Sequence, residues 1–283
     1  MTNKLIAARD AFAAVHPEMR TKLNGREWGM MDMGQGPVLL LIPGTLGRGD
    51  IFWQQMLALK NRIRIIAVTY PESGGIPEWS KDMLALMDQL EVNRATVLGS
   101  SLGGYLAQYL AETAPDRVER LVGANTLCAV QGIDARMPYA LDLDVVPVDE
   151  LRGGFAGGLG QWVDTHPEQA DVVELLMGEV NGRIPEPELR TRLKATKFAP
   201  DLPSASLPAD RTFTIEADDD PLIPPEMRAL VRARLTPGVT YRFLSGGHFP
   251  YVSRPAEYIA LLEQVMELDA TGVDWGQEKE RRL

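Results

Sequence analysis

Cysteine and histidine are scarce in this chain. Its 283 residues contain a single cysteine, Cys128, and three histidines, His16, His166 and His248. One cysteine excludes an internal disulfide framework and is typical of a reducing compartment. Because the histidines lie far apart in the sequence and none is near Cys128, we do not expect a metal site built from these residues. Cys128 is expected in the core.

Positive charge and long apolar runs are also lacking. Lys and Arg number 29 against 39 Asp and Glu, a net charge of -10, whereas nucleic acids and anionic membranes attract clustered Lys and Arg. No apolar run reaches the roughly 18 residues of a membrane-spanning helix, and Lys4, Arg9 and Asp10 interrupt the apolar core that a signal peptide needs. No phosphate-binding loop or dinucleotide fingerprint is present. We therefore expect a soluble, cytoplasmic protein without nucleic acid, membrane span or cofactor.

The chain does have a regular alternation of short apolar runs with helical patterns. The predicted buried strands are residues 38–42, 63–68, 95–98, 118–124, 212–215 and 241–244. The predicted helices are residues 51–59, 79–90, 102–113, 225–235 and 256–268. An Asn24-Gly25 turn predicts an antiparallel hairpin before the first of these strands. This spacing implies right-handed crossovers and an α/β fold with a doubly wound, mostly parallel sheet.

Residues 131–208 interrupt the alternation. They contain scattered prolines, a glycine-rich stretch at 153–158 that predicts loose structure, and helix-like patterns. Their content of Leu and Val, with Phe155 and Trp162, argues against a disordered linker. We expect a mainly helical lid, inserted after the strand that ends near Ala124. The expected domains are residues 1–130 and 209–283 for the core and 131–208 for the lid.

A G-x-S-x-G motif at residues 99–103 joins a predicted strand to a predicted helix. A turn this tight forces its central residue, Ser101, into a strained, left-handed backbone conformation and requires small neighbours. The turn exposes Ser101 Oγ at the end of the strand and aims the Leu102 N–H at the same place. We predict that Ser101 is a nucleophile and that Leu102 supplies one donor of an oxyanion hole.

Loops after the last two predicted strands carry candidates for an acid and a base. Residues 218–220 are three consecutive aspartates, and His248 follows the next strand. The carboxyl ends of parallel strands share one rim of a sheet, so both loops are expected beside Ser101. A serine needs a base to take its proton and a carboxylate to orient that base. His248 is the predicted base, any of the three aspartates could be the acid, and His166 is expected at the surface.

The loop at residues 43–47, after the first buried strand, offers the second oxyanion donor. A tetrahedral intermediate carries negative charge that fixed N–H donors stabilise. The spacing favours the Thr45 N–H, with Leu46 as the alternative. Three apolar residues near these loops, Leu46, Ile223 and Phe249, predict a pocket that suits an uncharged or acyl group.

The elbow at residues 99–106 and the turn at 245–251 resemble the α/β-hydrolase superfamily, most closely its maspardin-type branch. The resemblance spans roughly residues 38–268 and implies the α/β-hydrolase fold with a lid. In such families the acid usually lies four residues before the proline of a D-x-x-x-P turn, which here selects Asp220 with Pro224.

The resemblance also implies a function. With Ser101, Asp220 and His248 present, it implies a serine hydrolase that forms an acyl-enzyme, with a small-molecule carboxylic ester or related acyl compound as substrate. One alternative is a non-catalytic binding protein, since maspardin-like proteins are often described as binding partners. Another is C–C bond hydrolysis or peracid formation with the same triad. The usual His-Gly of the oxyanion loop is Pro43-Gly44 here, which leaves the donor open. A homo-oligomer is possible.

Overall fold

A mixed sheet runs through the molecule in the computed structural model, which describes residues 3–283. Its strands are β1 (Met19–Leu23), β2 (Arg26–Met33), β3 (Val38–Ile42), β4 (Arg64–Thr69), β5 (Ala95–Ser100), β6 (Val118–Ala124), β7 (Thr212–Ala217), β8 (Val239–Phe243) and β9 (Glu280–Arg282). Across these described residues the order is β1-β2-β4-β3-β5-β6-β7-β8-β9. β2 pairs antiparallel with β1 and β4, and the other neighbouring strands are parallel. The predicted mostly parallel α/β sheet is confirmed.

Helices cover both faces of the sheet. They are α1 (Lys4–Val15), α2 (Trp53–Leu59), α3 (Ile76–Gln89), α4 (Leu102–Thr113), α5 (Val148–Thr165), α6 (Ala170–Gly178), α7 (Glu186–Lys197), α8 (Pro225–Leu235), α9 (Pro250–Ser253) and α10 (Pro255–Val265). Side chains alternate between the two faces of a strand, so Leu39 and Leu41 belong to the apolar cluster that includes residues of α1, α2 and α10, whereas Leu40 and Ile42 belong to the cluster that includes residues of α3, α4 and α8. Every residue of β3 is apolar because both faces of this strand are buried.

The segment between β6 and β7 contains α5, α6 and α7 and has a small apolar core of its own, centred on Leu151, Ile184, Leu189 and Leu193. The glycine-rich stretch at 153–158, expected to be loose, lies inside α5. Burial of apolar residues on either side of the stretch outweighs the poor helix propensity of glycine.

Two features at the periphery differ from expectation. Residues 280–282, for which no element was predicted, form β9 and extend the sheet beside β8, with the Thr240 N–H donating to Lys279 O at 2.7 Å. A short charged strand is typical of a sheet edge, where it discourages pairing with other chains. Cys128, expected in the core, is half-buried.

Within residues 3–283 no helix combines the length and the apolarity needed to cross a bilayer.

Candidate active site

Ser101 occupies the sharp turn between β5 and α4. Its backbone has φ 53° and ψ -118°, a conformation that is costly for a residue with a side chain, of order 1–3 kcal/mol. The Ser101 N–H donates to Ala124 O at 2.9 Å and holds the turn. A Cβ on Gly103 would lie 2.2 Å from Ile42 O, so glycine is required where α4 approaches the neighbouring strand. The predicted elbow geometry is present.

Asp220 and His248 meet at the carboxyl ends of β7 and β8. His248 Nδ1 lies 2.9 Å from Asp220 Oδ2 and 3.0 Å from Oδ1, and both residues are buried. The backbone N–H groups of Leu222 and Ile223 donate to Asp220 Oδ1 at 2.8 and 3.1 Å. An ionised Asp220 accepts the proton of His248 Nδ1, which leaves Nε2 as a proton acceptor. No hydrogen bond joins Ser101 Oγ to His248 within residues 3–283.

The environment of Asp220 stabilises its charged form. Burial by itself raises the pKa of this carboxyl, but His248, the Asn125 amide and the Leu222 N–H outweigh burial and hold the pKa below its usual value. Asn125 Nδ2 donates to Asp220 Oδ2 at 2.9 Å from the end of β6. The ionised form of Asp220 is therefore favoured beside His248.

The three consecutive aspartates have different contacts. Asp218 forms an ion pair with Arg242 at 2.5 Å. Asp219 accepts from the backbone N–H groups of Gly246 and Gly247 at 3.0 and 2.9 Å and so holds the loop that precedes His248. Asp220 alone of the three contacts the imidazole of His248.

The loop at residues 43–47 passes directly beside the elbow. A Cβ on Gly44 would lie 3.1 Å from Ser101 Cβ and 3.8 Å from its Oγ. Thr45, Leu46 and Leu102 all line the same cavity as Ser101. Within the described part of the chain, neither the Thr45 nor the Leu46 N–H has a hydrogen-bond acceptor. Both are therefore available as oxyanion donors.

A cavity of about 900 Å³ opens beside Ser101 and His248. Leu46, Ile223 and Phe249, the predicted pocket residues, all line it. The inserted segment contributes further apolar residues to the same cavity: Ile133, Met137, Pro138, Phe155, Leu159 and Trp162. The cavity is thus mainly apolar around a polar centre. Residues 3–283 hold no cluster of three His, Cys, Asp or Glu side chains arranged as a metal site.

Comparison with known proteins gives the family. The profile of the Alpha/beta hydrolase family matches residues 39–261. The chain belongs to this family. Maspardin of Danio rerio is 25% identical over 245 residues, covering 83% of this chain and 76% of maspardin, which confirms the maspardin-like similarity.

Solved alpha/beta hydrolase structures confirm the fold. A hydrolase from Pseudomonas aeruginosa has a TM-score of 0.75 and 24% identity, covering 88% of this chain and 98% of that chain. An enol-lactonase from Burkholderia xenovorans has a TM-score of 0.75 and 18% identity, covering 88% of this chain and 100% of that chain. Family membership supports a hydrolase in general, while the reaction and the substrate need a separate argument.

Three residues of this alpha/beta hydrolase site were missed or misplaced by sequence reasoning. Asn125 was assigned no role from the sequence, although a polar residue at the end of β6 could have been predicted to face Asp220. Trp162 lines the cavity and covers Gly247, and no sequence pattern points to that contact. His166, expected at the surface, lines the cavity because it lies one helical turn after Trp162.

Proposed function

We propose that this alpha/beta hydrolase is a serine hydrolase in which Ser101 is the nucleophile, His248 the general base and Asp220 the carboxylate that orients the base. The observation that carries the proposal is the buried Asp220–His248 pair, which borders the same cavity as Ser101 at the strained elbow. A serine hydroxyl becomes a useful nucleophile only when such a base removes its proton.

The proposed reaction has two stages. Ser101 Oγ attacks the substrate carbonyl carbon as its proton passes to His248 Nε2, and the negative charge develops on the former carbonyl oxygen. The Leu102 N–H and a second N–H from Thr45 or Leu46 stabilise this oxyanion. His248 then returns the proton to the leaving alcohol, which leaves an acyl-enzyme. Water, activated by His248, attacks the acyl-enzyme and releases the acid and Ser101.

The proposed substrate is an uncharged carboxylic ester or related acyl compound. The cavity of about 900 Å³ lies at the upper end of the range that small-molecule sites occupy, and its walls are mainly apolar. The structural likeness to an enol-lactonase is consistent with an ester-like substrate. Residues 131–208 would then act as the lid, because their side chains supply much of the cavity wall.

Labelling with a fluorophosphonate tests the nucleophile. The wild type and Ser100→Ala should be labelled, whereas Ser101→Ala should not, because Ser100 is buried beneath the elbow and only Ser101 borders the cavity. Labelling that persisted in Ser101→Ala would reject the assignment.

Hydrolysis of p-nitrophenyl esters of increasing chain length, measured in parallel, tests the substrate class. A wild type that neither reacts with the phosphonate nor cleaves esters would support a binding protein. A wild type that is labelled but inert toward every ester would point to C–C bond hydrolysis or another reaction of the same triad.

A further inference from the structure

The oxyanion loop, residues 43–47, is held on its buried side by a side chain from the inserted segment. Arg192 on α7 has no solvent exposure, and its Nη1 donates to Thr45 O at 3.0 Å and to Gly47 O at 2.8 Å. Tyr70 OH donates to Pro43 O at 2.7 Å, and the Gly47 N–H donates to the Gly44 carbonyl at 3.0 Å. Four carbonyls of this short loop are therefore fixed.

Fixed carbonyls determine where the neighbouring N–H groups point. In a trans peptide the C=O and the following N–H project in opposite directions, and the peptides of this loop are trans. The hydrogen bond from Arg192 to Thr45 O therefore directs the Leu46 N–H away from Arg192. Leu46 borders the cavity and Arg192 does not. Arg192 thus turns the Leu46 N–H toward the side on which the substrate would bind.

The guanidinium of Arg192 is itself held in place. Its Nη2 donates to Glu188 Oε2 at 3.0 Å, one helical turn earlier, and its centre lies 5.1 Å from the centroid of the Tyr70 ring. A buried charge is costly unless it is paired, and here Nη1 donates to both carbonyls while Nη2 donates to Glu188. Lysine has a single terminal nitrogen, which cannot occupy the Nη1 and Nη2 positions together.

We propose that Arg192 is a positioning residue for the oxyanion hole and that α7 is coupled through it to the catalytic centre. This inference rests on the proposed serine hydrolase. It assigns no substrate contact to Arg192 and predicts an effect on transition-state stabilisation alone.

The test compares Arg192→Lys and Arg192→Met with the wild type. We expect kcat for a p-nitrophenyl ester to fall about 10- to 100-fold, less than or equal to the loss of a whole oxyanion donor, with KM changed less than about threefold. Affinity for a trifluoromethyl ketone, which forms a hemiketal with Ser101 and needs the oxyanion hole, should fall by a similar factor. An unchanged kcat would overturn the inference, and so would a raised KM with unchanged kcat.

Arg211→Lys is the matched control. Arg211 also donates to two backbone carbonyls, those of Val118 and Glu119, but at the opposite end of the sheet from Ser101. It should lower thermal stability without changing kcat. If the Arg192 variants do not fold, Glu188→Gln tests the positioning role instead. This substitution weakens the ion pair that holds Arg192 and keeps the guanidinium itself. Glu188→Gln should lower kcat with KM unchanged, and an unchanged kcat would overturn the inference.

Hydrogen exchange separates failure of this inference from failure of the proposed function. Without any substrate, the Gly47 amide should exchange at least about 10-fold faster in Arg192→Lys, while the amides of α4 remain unchanged. Unchanged exchange would overturn the positioning role even in an inactive protein. Absence of labelling in the wild type would instead reject the serine hydrolase.

Discussion

The cavity beside Ser101 has two walls that are held by different interactions. The core wall, formed by the loops after β3, β5, β7 and β8, is fixed by hydrogen bonds to Asp219, Asp220 and Arg192. The α5 wall, formed by residues 131–166, is mainly apolar. The contrast suggests a division of labour: reaction chemistry needs atoms held within fractions of an ångström, whereas selectivity needs only a shape.

Glycine shows the same contrast. A Cβ on Gly99 would lie 2.0 Å from Gly103 O, so the core wall has no room for it. At Gly153, Gly157 and Gly160 on α5, a Cβ would meet nothing within 4 Å. The α5 glycines are thus not required by packing, and they leave that helix intrinsically weaker.

The inserted segment is divided between the two walls. Its later part, α7 and the turn before it, belongs with the core wall. Glu179 there is fully buried and pairs with Arg9 of α1 at 2.5 Å, while Arg192 donates to the carbonyls of Thr45 and Gly47. Gating by the proposed lid should therefore be confined to residues 131–166.

The largest effect that the comparison predicts is on the core wall. Asp220→Asn should lower kcat by about four orders of magnitude, because an amide can hold the wrong imidazole tautomer. Asp219→Asn should lower kcat less, since it perturbs the His248 loop only through two backbone N–H groups. Asp218→Asn should have the smallest effect on kcat, since the ion-pair partner of Asp218 is Arg242. Equal, small effects in ester hydrolysis would mean that the acid is misplaced.

A smaller effect is expected on the α5 wall. Phe155→Ala enlarges the cavity, so kcat/KM for long relative to short p-nitrophenyl esters should rise about 10-fold while kcat for the acetate ester stays nearly constant. Phe198→Ala is the control, because Phe198 is 68% exposed and does not line the cavity. A large loss of kcat toward every ester in Phe155→Ala would show that the two walls are not separable.

The smallest effect concerns stability. Gly153→Ala and Gly157→Ala should each raise the free energy of unfolding by about 1 kcal/mol in urea denaturation, since both glycines lie exposed within α5. Gly99→Ala should instead destabilise the protein. If the α5 substitutions leave the unfolding free energy unchanged, α5 unfolds separately from the core.

Local patterns were sufficient for much of this protein. The buried strands could be predicted from apolar runs in the sequence, as in β3, which is apolar on both faces. The elbow could be predicted from five residues because its turn needs small neighbours. Strand order brings the ends of β7 and β8 to one rim, which predicts that one of the three aspartates lies beside His248, while the choice of Asp220 depended on the family resemblance.

Other features required the tertiary structure. The glycines of α5 argue against a helix until apolar burial on both sides of them is known. Arg192 lies in a polar, charged sequence that predicts exposure, yet it is fully buried against carbonyls 147 and 145 residues away in the chain. A sequence encodes backbone preference and hydrophobic period locally, but which distant carbonyl a buried guanidinium meets depends on how the finished elements pack.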